Sequence, residues 1–259
     1  MSHALRVLLQ YRFTDSSYTL AVTSAKQGLK DDLLKRINAI IERISPGQVS
    51  EVCYSGETFS SALIEVLQML PTVSHLSIAC GTRISETSMK QLSYFRLPHL
   101  SFLVPEVHPP SLMHLLHDDL SSLKITAGTW GNENTQPLVK RLLELTSLTS
   151  LCLPFHTPDM GPLLEKNTLI SFVCDSGMAP SLYDSPNSSL RTLCLAHCLP
   201  LHKNTIDYQL LNNSNLTSLD LRYSDLETME FPKFWHDHLP ILASNSSITS
   251  LNLGYTNIS

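Results

Sequence analysis

Apolar residues return along this chain in one repeated arrangement. Four late segments write nearly the same phrase: LTSLCLPFHT from Leu148, LRTLCLAHC from Leu190, LTSLDLRYSD from Leu216 and ITSLNLGYTN from Ile248. Each is apolar at its first, fourth and sixth places. The template L-x-x-L-x-L, with any apolar residue accepted at those places, puts first places at Val49, Val73, Leu97, Leu120, Leu148, Leu169, Leu190, Leu216 and Ile248. Their spacings are 24, 24, 23, 28, 21, 21, 26 and 32 residues. Places four and six point to one side of an extended strand. One strand cannot bury that side alone, but stacking on the next strand does. The intervening segments read as helices. DDLLKRINAIIERI gathers Leu33, Leu34, Ile37, Ile40, Ile41 and Ile44 on one face, TFSSALIEVLQML gathers Leu63, Val66, Leu67 and Leu70, and TQPLVKRLLEL gathers Leu138, Leu142 and Leu145. Pro46 and Pro71 stand as stops after two of them.

A period in the twenties with this pattern is the signature of leucine-rich repeats. On these residues the chain resembles the leucine-rich-repeat superfamily over nearly all its length. PLLEKNTLISF and LLNNSNLTSLDL resemble the ribonuclease-inhibitor-like class, in which a true helix follows each strand. The resemblance implies an α/β solenoid, a horseshoe with a parallel β-sheet on its concave face and helices on its convex face. The texture is also similar to leucine-rich-repeat effectors that intracellular bacteria of the Legionella type inject into host cells. That implies action on a host protein, and the expected location is cytoplasmic or, after secretion, the host cell cytosol. The motif's ninth place, which usually holds a side chain that bonds the turning backbone, falls on Cys198, Ser224 and Thr256. In early repeats it falls on Gly81, Pro105 and Gly128, where the turns must differ.

The expected organisation is an N-terminal cap over residues 1–45 and about nine repeats over 46–259. In the cap, Leu20 and Val22 of SYTLAVTS could hold places four and six of a zeroth repeat, and HALRVLLQYRF could cover the edge. The last strand, LNLGYTNIS, has no polar capping element after it, so a C-terminal cap is expected to be missing and supplied by further chain or a partner.

Composition narrows the function. Charged residues are 16% of the 259, and the net charge is -5 with no basic stripe, which argues against nucleic acid. No apolar run approaches the ~18 residues of a membrane span. MSHALRVLLQYRF makes a poor secretory signal. The six scattered cysteines fit a reducing compartment, and the five Asn-x-Ser/Thr matches read as turn chemistry.

Candidate chemistry is thin. Cys194, His197, Cys198 and His202 are dense enough for zinc, but places five and nine diverge, so no metal is expected. His236 and His238 are two apart and do not share a helix face. His114, His117 and Asp118 have helical spacing and are expected on a solvated helix face. There is no local Ser-His-Asp or Cys-His signature and no glycine-rich phosphate loop. The chain reads as a non-enzyme without cofactor.

The places that escape the core are the better candidates. Place eight gives an aromatic column, Phe155, His197, Tyr223 and Tyr255; places five and seven add Asp175, Asp220, Arg222 and Asn252. Tyr and Arg dominate interface centres. Earlier strands offer small residues there, including Ser74, Ser77, Ala79 and Ser101. The expectation is a module that binds a protein partner on its concave face, through its C-terminal half. The alternative is a substrate-recognition adaptor of a larger assembly such as a ubiquitin ligase.

Overall fold

The computed structural model describes residues 6–12, 17–24, 30–44, 46–130, 135–154, 163, 168–174, 189–195, 214–222, 240 and 242–254. The protein is α/β, with mostly parallel strands that pair in chain order. It divides into two compact units, residues 1–133 and 134–259.

In the first unit, β1 (Arg6–Arg12) runs antiparallel to β2 (Ser17–Ser24). Four parallel strands follow: β3 (Val49–Gly56), β4 (His75–Cys80), β5 (His99–Val107) and β6 (Ser122–Trp130). β2 joins β3 in parallel, with Leu20 opposite Val52 and Val22 opposite Tyr54. The connections carry α1 (Lys30–Ile41), α2 (Ala62–Met69), α3 (Glu86–Ser93) and a short α4 (Pro109–Leu112) that tightens into a 3-10 turn over Met113–Leu115. The second unit holds α5 (Gln136–Glu144) and β7 (Ser150–Leu153), β8 (Ser171–Cys174), β9 (Thr192–Cys194), β10 (Ser218–Asp220) and β11 (Ser250–Asn252), all parallel.

The register is constant from β3 to β6 and from β7 to β11, and shifts by one residue between β2 and β3 at Tyr18. Fourth places stand opposite one another from Val52 through Leu76 and Leu100 to Leu123, and from Leu151 through Phe172, Leu193 and Leu219 to Leu251. Every residue at the three fixed places of the first eight repeats is buried, Val73 being the most exposed at 8%. The ninth repeat departs from this: Leu251 on β11 is 44% exposed. The apolar faces of the helices complete each core. Leu63, Val66 and Leu67 of α2 are buried, as are Leu138, Val139 and Leu142 of α5. α3 has only Met89 and Leu92 to bury, and Ser85 caps it by accepting the Ser88 N–H at 3.2 Å. α2 ends at Met69, two residues before Pro71. No helix among the described residues is long and apolar enough to cross a membrane.

β3 and β4 stop just before place nine, at Gly56 and Cys80, but the next two strands do not end there. β5 and β6 run on through Pro105 and Gly128. Both early glycines lie against the previous repeat's ninth-place carbonyl: a Cβ at Gly81 would sit 3.1 Å from the Glu57 oxygen, and one at Gly128 3.2 Å from the Pro105 oxygen. Glycine therefore permits the close approach of neighbouring backbones there.

Burial sets the expected cost of truncation. Leu193→Ala, between Phe172 and Leu219, should lose about 2–5 kcal/mol. Leu251→Ala should lose less than about 1 kcal/mol. Denaturant melts of the two variants against wild type check this; equal losses would contradict the ladder.

Candidate functional site

The places between the buried ones face solvent, and the constant register lines them up in rows. In the second unit, place three is a row of hydroxyls: Ser150, Ser171, Thr192, Ser218 and Ser250 stand opposite one another across β7–β11. Place five aligns Cys152, Val173 and Cys194, then Asp220 and Asn252. Cys53, Cys80, Cys152, Cys174 and Cys194 are thiols, not disulfides.

Three of the expected partner-binding residues can be placed. Asp220 and Arg222 engage each other. The Asp220 carboxylate accepts the Arg222 backbone N–H at 3.1 Å through Oδ1, and Oδ2 lies 3.1 Å from Arg222 Nε. Asn252 repeats the first of these contacts, with its Oδ1 accepting the Gly254 N–H at 3.1 Å. Both are side-chain turns that close the end of a short strand. So Asp220 and Asn252 have a structural duty, while the Arg222 side chain stays 48% exposed. Phe155, Asp175, His197, Tyr223 and Tyr255 lie outside the described residues, as do Cys198, His202, His236 and His238.

The phrase L-T-S-L also has a local cause. Three hydroxyls at place two bond the place-two carbonyl of the preceding repeat, whereas that of Ser121 turns to the Asp119 carbonyl. Thr217 donates to Arg191 O at 3.1 Å, Thr249 to Thr217 O at 3.3 Å and Ser74 to Ser50 O at 3.3 Å. The backbone N–H groups of Ser74, Thr217 and Thr249 donate to the same carbonyls at 2.8–2.9 Å. The hydroxyl thus stitches the entry of β4, β10 and β11 to the preceding strand, where a valine could not.

The first unit holds a polar row that sequence reading missed. Place three there runs Thr19, Glu51, His75, His99 and Ser122 across β2–β6. Arg12 of β1 reaches Glu51 Oε2 at 2.9 Å, and the Thr19 hydroxyl donates to the same oxygen at 2.9 Å. His75 and His99 stack, with ring centroids 4.0 Å apart and planes within 12°. The signal was present, since HLS stands at both 75 and 99, one repeat apart. Within any one segment the small residues Ser77 and Ser101 dominate the exposed places, so the row shows only when repeats are compared.

This row does not assemble a nucleophile or a metal site. Cys53 lies at place five, and its Sγ–H points to Glu51 Oε1 at 3.6 Å. Burial, then the Glu51 carboxylate, pushes its thiol up to about 11, so it is held in the unreactive protonated form. Stacked parallel imidazoles direct their in-plane lone pairs side by side and do not converge on one ion. Among the described residues no three His, Cys, Asp or Glu form a group fit for a metal. The expectation of a single solvated helix face at His114 and His117 is corrected. His114 is in the 3-10 turn and meets Glu86 at 3.3 Å; His117 lies beyond it, half-buried, donating from Nε2 to the Leu97 carbonyl at 3.1 Å. Burial lowers the pKa of His117 against the pull of that bond.

No family model matches this chain, and no curated protein matches it. A reading of its function therefore rests on its own residues.

The Cys53 environment gives a direct check. With a pKa of about 11, about one thiol in a thousand is ionised at pH 8. Site-resolved alkylation should be slow and rise only towards pH 11. Glu51→Gln should move the profile down without restoring an ordinary thiol, because burial remains. A Cys53 that alkylates as fast as a free thiol at pH 8 would contradict this geometry.

Proposed function

We propose that the chain is a leucine-rich-repeat solenoid of the ribonuclease-inhibitor-like class, and that the solvent-facing side of its sheet binds a protein partner by occupancy. The observation that carries the reading is the constant register. It hands the core to places one, four and six and leaves the remaining places as rigid, evenly spaced rows. Such rows suit a binding surface, because side chains on strands lose little further freedom when a partner arrives.

Within this reading the second unit offers Arg222 as the leading contact. Its guanidinium is held by Asp220 yet exposed, and arginine is enriched among residues that dominate binding. The Asp220 pair keeps the fork oriented and leaves further N–H donors for a carboxylate or carbonyl of the partner. The aromatic places Phe155, Tyr223 and Tyr255 would supply buried area around it. Nothing in this reading needs a cofactor, a metal or nucleic acid.

The test removes the guanidinium and leaves Asp220, with its bond to the backbone, in place. Wild type should retain a protein from a eukaryotic lysate. The variant Arg222→Ala, shown to be folded, should bind that protein at least about tenfold more weakly. Equal binding would remove this site. Retention of nothing by wild type would count against a protein-binding module.

A further inference from the structure

We propose that the stacked His75 and His99 rings are a pH-sensitive element on the solvent-facing side of the first sheet, stacked while at most one ring carries a proton and driven apart when both do. Neighbouring parallel strands fix the two backbones, with His75 directly opposite His99. The rings lie 4.0 Å apart and within 12° of parallel, so two positive charges would be held face to face. The backbones cannot separate without breaking the ladder, so relief comes from rotating a side chain. That motion changes what this row presents to solvent.

His75 is also held on its other side. The Ser74 hydroxyl lies 2.8 Å from His75 Nδ1 and 3.3 Å from the Ser50 carbonyl. The carbonyl can only accept, so both contacts are served when Ser74 donates to it and Nδ1–H donates to Ser74. His75 is then tethered, and His99 is the ring free to swing.

The surrounding charges do not relieve the repulsion. Beyond His75, on β3, Glu51 already accepts from Arg12 of β1 and from Thr19 of β2. On β3, β4 and β5 the next places on this side hold Cys53, Ser77 and Ser101. On β6, Ser122 stands opposite His99, and Lys124, at the next place on this side, brings a further positive charge. Burial, then the neighbouring His75, lowers the pKa of His99. The unfolded chain therefore binds this proton more readily than the folded one. Stability from this site is complete above the ordinary imidazole value of 6.5 and is lost as pH falls from there towards the folded value.

The inference does not depend on a partner and is read by ring-proton NMR of the intact chain. At pH 7.5 each ring should show the upfield shift and through-space contacts of its neighbour. On acidification below both midpoints these should vanish while backbone signals of β4 and β5 persist. The His99 midpoint should lie below a free imidazole and move up in His75→Asn; His75→Gln provides a second variant should the first fold poorly. Ring contacts that survive with both rings charged would overturn the proposal. So would a His99 midpoint that is unchanged when His75 is replaced.

Discussion

In each unit the strands can meet in only one way, with fourth place opposite fourth place. A slip of one residue would carry Leu193 to the solvent side and Cys194 or Thr192 into the core, repeating the error at every strand it touches. The apolar places thus fix register, and register fixes everything exposed. It sets Ser150, Ser171, Thr192, Ser218 and Ser250 in one row and Glu51, His75 and His99 in another. Repeats of 21 to 32 residues fit the same ladder because the variation falls between strands. Adding residues to a connection costs little, since closure entropy grows only with the logarithm of its length.

The two units use this ladder differently. In the second, Asp220 and Asn252 capture backbone N–H groups two residues on and end three-residue strands. In the first, place five holds Cys53, Ser77, Ser101 and Lys124, none of which makes that turn, and β5 and β6 extend to nine residues. The longer strands carry the charged and imidazole groups; the shorter ones carry hydroxyls and the Asp220–Arg222 pair. The exposed side of each unit therefore has its own chemistry on a shared frame, and the proposed recognition role draws on that difference.

The fold was legible where burial imposes a period. Places one, four and six stand out because each needs an apolar neighbour above and below, and the cores at Leu123 or Leu193 follow from that. α3 was not legible: ETSMKQLS buries only Met89 and Leu92, too few for a face to be read. The length of β5 was hidden because Pro105 reads as a stop, although β5 runs through it. The surface was harder still. Asp220 and Asn252 looked like contacts for a partner, yet each bonds its own backbone, because an Asx side chain serves both purposes equally well. The His75–His99 stack depends on a relation between repeats, which a search for motifs within one segment does not see.

The register itself is open to a direct chemical measurement. Place-five residues on adjacent strands lie opposite each other, within the Cα separation a disulfide tolerates. Ser77 stands opposite Cys53, whereas Ser101 is one strand further away. Under a strong oxidant, Ser77→Cys should crosslink to Cys53, and Ser101→Cys should leave Cys53 reduced. A crosslink from Ser101→Cys without one from Ser77→Cys would mean that the strands do not pair in this register.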